Sequence, residues 1–340
     1  MGEENKRGSG AGLTCVTIGG GNGLSTLLSG LKMFVDVGDA EHLWLRELSA
    51  IVAVSDDGGS SGRLRDELQM PPPGDIRNCM VALSEDSHLL SKLFRHRFTG
   101  EGQLSGHSFG NLFLAALSEI TGDFAEAVKL SSEILASKGR IYPATISDVR
   151  IAARLRDGKV VNGETNIGKV GPHIDRLYLE PENCAPMPEA IEALSSADII
   201  TVGPGSLYTS LLPPLLVNGV SEAIAGSPAV KIMICNLMTQ PGETDGLTSR
   251  RHVEIIRDYS PAIEFDYILV NNQPITAEQA EAYIHEGAEQ IGVHGSIDQS
   301  TVAGASIVYR DLLDGGRKVR HDPERLARLV LECAAHRPAR

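Results

Sequence analysis

The sequence predicts an α/β fold with a mainly parallel sheet and a small β insertion, and three observations carry that expectation. Continuous apolar runs alternate with helical stretches along the chain, as strands buried on both faces of a parallel sheet require. Each run feeds straight into a polar or glycine-rich loop. Residues 141–180 break the pattern with short alternating segments around an Asp157-Gly158 turn, the signature of a hairpin or meander.

The elements follow in order. Residues 13–18 are β-branched and apolar and run into Gly19-Gly20-Gly21-Asn22-Gly23, then into an apolar stretch over 24–31. That is strand, glycine turn, helix. A second run, 51–54, ends at Ser55-Asp56-Asp57-Gly58-Gly59, and a third, 198–202, ends at Gly203-Pro204-Gly205-Ser206. Runs at 229–235 and 267–270 lead into Asn236-Leu237-Met238 and Asn271-Asn272. Helices are expected over 75–98, 107–121, 123–137, 186–196, 248–259 and 276–286, with a last one after Pro323. Within the insertion, 149–156, 159–161 and 176–179 read as strands. The expected organisation is a flexible lead-in over 1–12, a core from 13–140 and 181–340, and the insertion over 141–180.

Composition narrows the function. Hydrophobic residues at 42% and charged residues at 22% are ordinary globular usage. Aromatics at 4% and a formal net charge of −13 remove both the stacking surface and the long-range attraction of a nucleic-acid binder. The five cysteines are odd in number, scattered and without a C-x-x-C pair, which suits a reducing cytosol. No run approaches the ~20 apolar residues of a membrane span, because the most apolar segment is broken by Pro213 and Pro214. The N-terminus lacks an apolar signal region, and Lys6 stands where a myristoylation signal wants Ser or Thr.

In an open parallel sheet, ligands gather where loops leave the carboxyl ends of strands. The Gly20, Gly21, Asn22 and Gly23 turn would aim backbone N–H groups at a phosphate; a tight structural turn is the plainer reading. It is not the dinucleotide fingerprint, since Leu24 stands where the third glycine belongs. Asp56 and Asp57 end the second strand, a place for ribose hydroxyls or a metal. Arg63 and Arg65 read as a phosphate clamp or as surface charges. Asp75, just before Arg77-Asn78, is either a helix cap or a metal ligand. Gly106-His107-Ser108-Phe109-Gly110 formally satisfies G-x-S-x-G, but no buried strand precedes it, so a helix start with His107, Ser108 and Asn111 facing the crevice is preferred to a nucleophile. Gly205, Ser206 and Tyr208 open a second helix after a strand, with Ser206 either presenting an anion cradle or capping the helix. The acidic segment 239–246 reads as a loop or a lid. No histidine spacing fits zinc, and His252, His285 and His294 read as solvent-facing.

Taken together, GGGNGLS (19–25), SDDGGSSGRLR (55–65), PPPGDIRN (71–78), GHSFGNL (106–112), GPGSLYTSLLP (203–213) and NLMTQPGETDG (236–246) resemble the gluconeogenesis factor family, the YvcK-like proteins, a branch related to 2-phospho-L-lactate transferase. The resemblance implies a Rossmann-like three-layer core and a cytoplasmic protein that binds UDP-sugars, notably UDP-N-acetylglucosamine. It implies a role in cell shape and wall synthesis during gluconeogenic growth, by binding and not by turnover. Carried over, the diphosphate would sit on Gly20, Gly21, Asn22 and Gly23, facing Gly205, Ser206 and Tyr208, with Tyr283 and Arg320 as nucleotide-sugar contacts. Asp57 and Asp75 match the places that hold magnesium in the transferase relatives; no cofactor is required for binding itself. Asn22, where many relatives carry Thr, and an extra stretch over 34–47 that includes Trp44, are departures that break no motif. A homodimer is expected from base rates. Three functions stand: a UDP-sugar-binding regulator, a magnesium-dependent transferase of phosphorylated hydroxy acids, and a dinucleotide-dependent oxidoreductase with Asp56 on the ribose.

Overall fold

The computed structural model describes residues 12–38, 43–85, 88–170, 173–284, 287–292 and 301–336. All but the last residue of the expected lead-in, part of the 34–47 stretch, and His285 and His294 lie outside the described residues.

In chain order, β1 (Leu13–Gly19) leads to α1 (Gly21–Leu31), and β2 (Leu45–Val52) to α2 (Gly59–Leu68), α3 (Gly74–Leu83), α4 (His88–Arg95), α5 (Phe109–Thr121) and α6 (Phe124–Ile134). β3 (Arg140–Pro143) follows, then β4 (Arg150–Leu155), β5 (Val160–Asn162), α7 (Glu164–Ile167) and β6 (Ile174–Glu180). The second half runs α8 (Pro188–Ser196), β7 (Ile199–Val202), a helical turn Leu207–Leu211 continuing into α9 (Leu212–Leu216), α10 (Val220–Gly226), β8 (Val230–Ile234) and α11 (Ser249–Tyr259). It closes with β9 (Tyr267–Asn271), α12 (Ala277–Ile284), β10 (Thr301–Val302), β11 (Ala305–Arg310) and α13 (Pro323–Ala335).

Eight strands form the main sheet in the order β10-β11-β9-β8-β7-β1-β2-β3. All neighbours are parallel except β10 on β11. The pleat divides the core, because successive side chains of a strand point to opposite faces. Cys15, Leu48, Val52, Ile232 and Leu269 pack with α1, α3 and α13 on one face. Val16, Ile18, Ile51, Val202 and Ile268 pack with the helices after β6 on the other. The result is the helix-sheet-helix layering of a Rossmann-like core.

The order places β1 at the centre, with β2 on one side and β7 on the other: Ile18 is level with both Ile51 and Val202. Chain progression reverses there, which makes the β1/β7 boundary a topological switch point. The loops leaving these two strands therefore emerge side by side.

The insertion is a separate antiparallel sheet, β5-β4-β6. Residues 141–143 are not part of it; they join β2 in parallel as the edge of the main sheet, so the second sheet begins at Arg150. The helix expected over 75–98 is two, α3 and α4, interrupted after Leu83. α2 was not anticipated, because its Gly-Ser-Ser-Gly opening has the composition of a loop.

Arg65, on α2, ties the main layer to the segment entering β4. Its guanidinium is 1% exposed and bonds Asp148 from both Nε (2.9 Å) and Nη2 (2.5 Å), with Nη2 also on the Val149 carbonyl. Asp148 is half-exposed. This asymmetry sets a prediction. Asp148→Ala leaves a buried guanidinium without its counter-charge and costs about 3 kcal/mol, whereas Arg65→Met leaves a carboxylate that water reaches and costs roughly 1 kcal/mol. Urea denaturation of both variants checks the order; equal losses would contradict it.

Candidate functional site

The two glycine-rich loops meet at the switch point. A Cβ on Gly23 would lie 2.4 Å from the Pro204 carbonyl oxygen, and one on Gly205 would lie 3.4 Å from the Gly20 oxygen. At Gly23 only backbone fits, and Gly21, at φ +64°, holds a left-handed turn that favours glycine. Together they wall a cleft of about 670 Å³.

The start of α1 lines this cleft through Thr26 of its second turn and through Gly21, Asn22 and Gly23 of its first. No acidic side chain occupies that turn and no side chain caps it from Gly20, so helix N–H groups without intrahelical partners open onto the cleft. One of them is satisfied internally: the Asp75 carboxylate accepts from the Gly21 N–H. Asp75 is therefore not the cap of its own helix, whose N-cap is Pro73. It serves α1 instead.

Lys318 and Arg320 line the same cleft with His321 and Tyr283. The Tyr283 hydroxyl accepts from the Val319 N–H at 3.2 Å, and Gln279 donates to the Asp314 and Gly316 carbonyls. These bonds pin the Lys318–His321 segment to α12. Lys318 escaped the sequence reading although it sits in a basic Arg317-Lys318-Val319-Arg320 run, the one available signal.

The second loop differs from expectation. Ser206 and Gly205 face the cleft, but the Glu243 carboxylate sits on the helical turn behind them. It accepts from the Ser206 hydroxyl (2.8 Å) and the Tyr208 N–H (2.9 Å), and also from Thr209. The Asn236 amide accepts from the Gly205 N–H at 3.0 Å. The second cradle is filled by the protein's own carboxylate and amide. Segment 239–246 is thus a wall with a buried anchor, Glu243 at 4% exposure. Tyr208 is itself buried in the apolar layer and does not line the cleft.

The remaining predicted residues gather behind Gly20 or away from it. The Ser60 hydroxyl lies 3.0 Å from His107 Nδ1, and Asn111 donates to Ser60 and Ser61 at 3.2 and 3.4 Å. Arg77 donates to the Ser108 hydroxyl (2.8 Å) and to Asn78 Oδ1 (2.7 Å), while Ser108 donates to the Phe94 carbonyl. Ser108, fully buried at the N-cap of α5 with no strand before it, is no nucleophile elbow. Arg63 holds the Ser105 carbonyl, and Arg65 is spent on Asp148. His252 is buried, not solvent-facing: on α11 it shares a face with Ile255 and Ile256, and its Nδ1 is 2.9 Å from the Thr248 carbonyl.

Asp57 and Asp75 do not fit a shared magnesium ion. Asp57 accepts from the N–H (3.1 Å) and hydroxyl (2.9 Å) of Thr165, holding α7 of the insertion; Asp75 is committed to Gly21 and lies beside Asp56. Among the described residues no three His, Cys, Asp or Glu are grouped to hold a metal.

Comparison with known proteins agrees with this architecture. The family model for 2-phospho-L-lactate transferase CofD matches residues 15–313. The gluconeogenesis factor of Halalkalibacterium halodurans is 44% identical over 317 residues, covering 93% of this chain and 95% of that protein. The gluconeogenesis factor of Bacillus subtilis is 44% identical over 315 residues, covering 92% and 96%. An X-ray structure of a Bacillus halodurans protein superposes with a TM-score of 0.86 at 43% identity, covering 94% of this chain and all of that one.

Electrostatically the cleft is divided. Glu164, reaching in from α7, has its pKa raised to about 8 by burial and by the Asp56 and Asp75 charges, despite a hydrogen bond from Thr209. Asp75 is raised to about 6 by burial and by Asp56. Both groups bind more protons folded than unfolded, so their ionisation erodes stability as pH rises, from 4.5 to about 8 for Glu164 and from 3.8 to about 6 for Asp75. Glu164→Gln is accordingly expected to be more stable than the parent chain at pH 8 by on the order of 1 kcal/mol, with the advantage fading at pH 5. Thermal melts of both proteins across that range decide it; a pH-independent difference would contradict the assignment.

Proposed function

The chain belongs to the gluconeogenesis factor family, inside the wider group that the 2-phospho-L-lactate transferase model describes, and from that premise we propose that it binds a UDP-sugar, UDP-N-acetylglucosamine, in the switch-point cleft. One observation carries the reading: the first turn of α1 and the cations Lys318 and Arg320 line a single polar cleft. N–H groups at a helix start together with two cations suit a diphosphate. The cleft volume is in the range of small-molecule sites, and Asn22, Thr26 and Gln240 along it supply amides and a hydroxyl for ribose and sugar hydroxyls.

Binding without turnover is the activity this arrangement supports. The α1 start, Lys318 and Arg320 bring N–H donors and cations to this cleft, which hold a ligand. Glu243 and Asp57 are spent on Ser206, Tyr208 and Thr165. On this reading the protein acts as a cytoplasmic sensor of nucleotide-sugar supply, coupling wall synthesis and cell shape to gluconeogenic growth. The transferase alternative is favoured by the mutual repulsion of Asp56, Asp75 and Glu164, which Arg77 offsets only in part at Asp75. The oxidoreductase alternative loses its ribose contact, since Asp56 turns back to accept from the Gly58 N–H at 2.8 Å.

Titration calorimetry with UDP-N-acetylglucosamine tests the proposal. Lys318→Ala and Arg320→Ala are each expected to weaken binding roughly tenfold or more, as loss of a charge-assisted hydrogen bond does. Affinity should survive excess chelator. Binding that vanishes with chelation would favour the transferase, and unchanged affinity in both variants would defeat the site.

A further inference from the structure

A second concavity, of about 920 Å³, shares no lining residue with the glycine-loop cleft and runs along the outer edge of β3 between α6 and the start of α8. β3 is the terminal strand of the main sheet. Ala144 donates its N–H to Val52 on β2. In a parallel ladder alternate residues turn to opposite neighbours, so the N–H and C=O of Ile141, which lines the groove, point outward. No described strand pairs with that edge.

The rim of the groove is acidic. Lys129 is taken by Glu126 at 3.6 Å and Arg140 by Glu47 at 2.6 Å, while Glu133 and Glu189 have no ion-pair partner among the described residues. Apolar surface accompanies the charge, with Ile146 53% exposed in the lining and Ile134 52% exposed at the end of α6.

We propose that this groove is a docking site for an extended, basic segment of a partner protein, which adds to β3 as a further parallel or antiparallel strand. Main-chain bonds to Ile141 supply the anchorage, and alternate lysines or arginines meet Glu133 and Glu189. A continuous apolar helix is a poorer occupant, because the open backbone groups of β3 would stay unpaired. The proposal is independent of the nucleotide cleft.

The test uses the full chain and a fluorescein-labelled, capped hexapeptide of alternating valine and lysine, read by anisotropy. Saturable binding is expected, at least tenfold weaker in the Glu133→Lys/Glu189→Lys double variant, whose exposed positions leave the core untouched. A peptide N-methylated at alternate residues should lose binding, since it keeps its charge but cannot pair with a strand. Equal binding of the methylated peptide would show charge attraction alone and overturn the proposal. So would the absence of binding, with the edge then simply blunted by Pro143. A dimer in sedimentation that dissociates on Glu133→Lys/Glu189→Lys and excludes the peptide would assign the edge to a second copy and likewise overturn it.

Discussion

The pairing of β1 with both β2 and β7 is the constraint on which everything else depends. With Ile18 level with Val202, the chain leaves two adjacent parallel strands at the same height and must turn away in opposite directions. The opening between those turns is geometric, not a product of side-chain choice. What side chains decide is how wide it is and what lines it. The close approach of Gly23 to the Pro204 carbonyl keeps the α1 start and the 203–206 loop in contact, and Lys318 and Arg320 line the same cleft.

Helix starts at such a place attract anions, and here the protein answers two of them with its own carboxylates. Glu243 settles on the turn after Ser206, and Asp75 on the Gly21 N–H. Each acid costs desolvation energy, visible in their raised pKa values, and each is partly compensated by backbone donors. The consequence is selective: Glu243 closes one cradle, whereas Asp75 leaves Asn22, Gly23 and Thr26 facing the cleft. The insertion completes the enclosure, held by Asp57 on Thr165 and delivering Glu164 to the wall. A small antiparallel sheet thereby becomes part of a site built mainly from parallel strands.

Much of this was legible in the residues. The five apolar runs are strands of the main sheet, the insertion strands fall where the Asp157-Gly158 turn puts them, and both glycine loops reach one cleft. Periodicity and turn chemistry are local, so sequence carries them. Partnership is not. Nothing local distinguishes Arg65, buried on Asp148, from Arg63 two residues earlier, which holds a surface carbonyl. Glu243 looked like part of an acidic loop because its partners, Ser206 and Tyr208, lie 37 and 35 residues away. His252 looked exposed because its neighbours in sequence are arginines, although the helix turns it toward Ile255 and Ile256. Tyr208, quoted within a motif, faces the core since its backbone and not its side chain serves the loop.

One open helix start and two cations together are placed to share the charge of a diphosphate. A crystal structure of the protein with UDP-N-acetylglucosamine is the most direct test. Phosphate oxygens are expected within hydrogen-bond distance of the Asn22 or Gly23 N–H and of Lys318 or Arg320, with Glu243 still on Ser206 and Tyr208. Phosphates seated on the 207–211 turn with Glu243 displaced, or outside the cleft altogether, would contradict it.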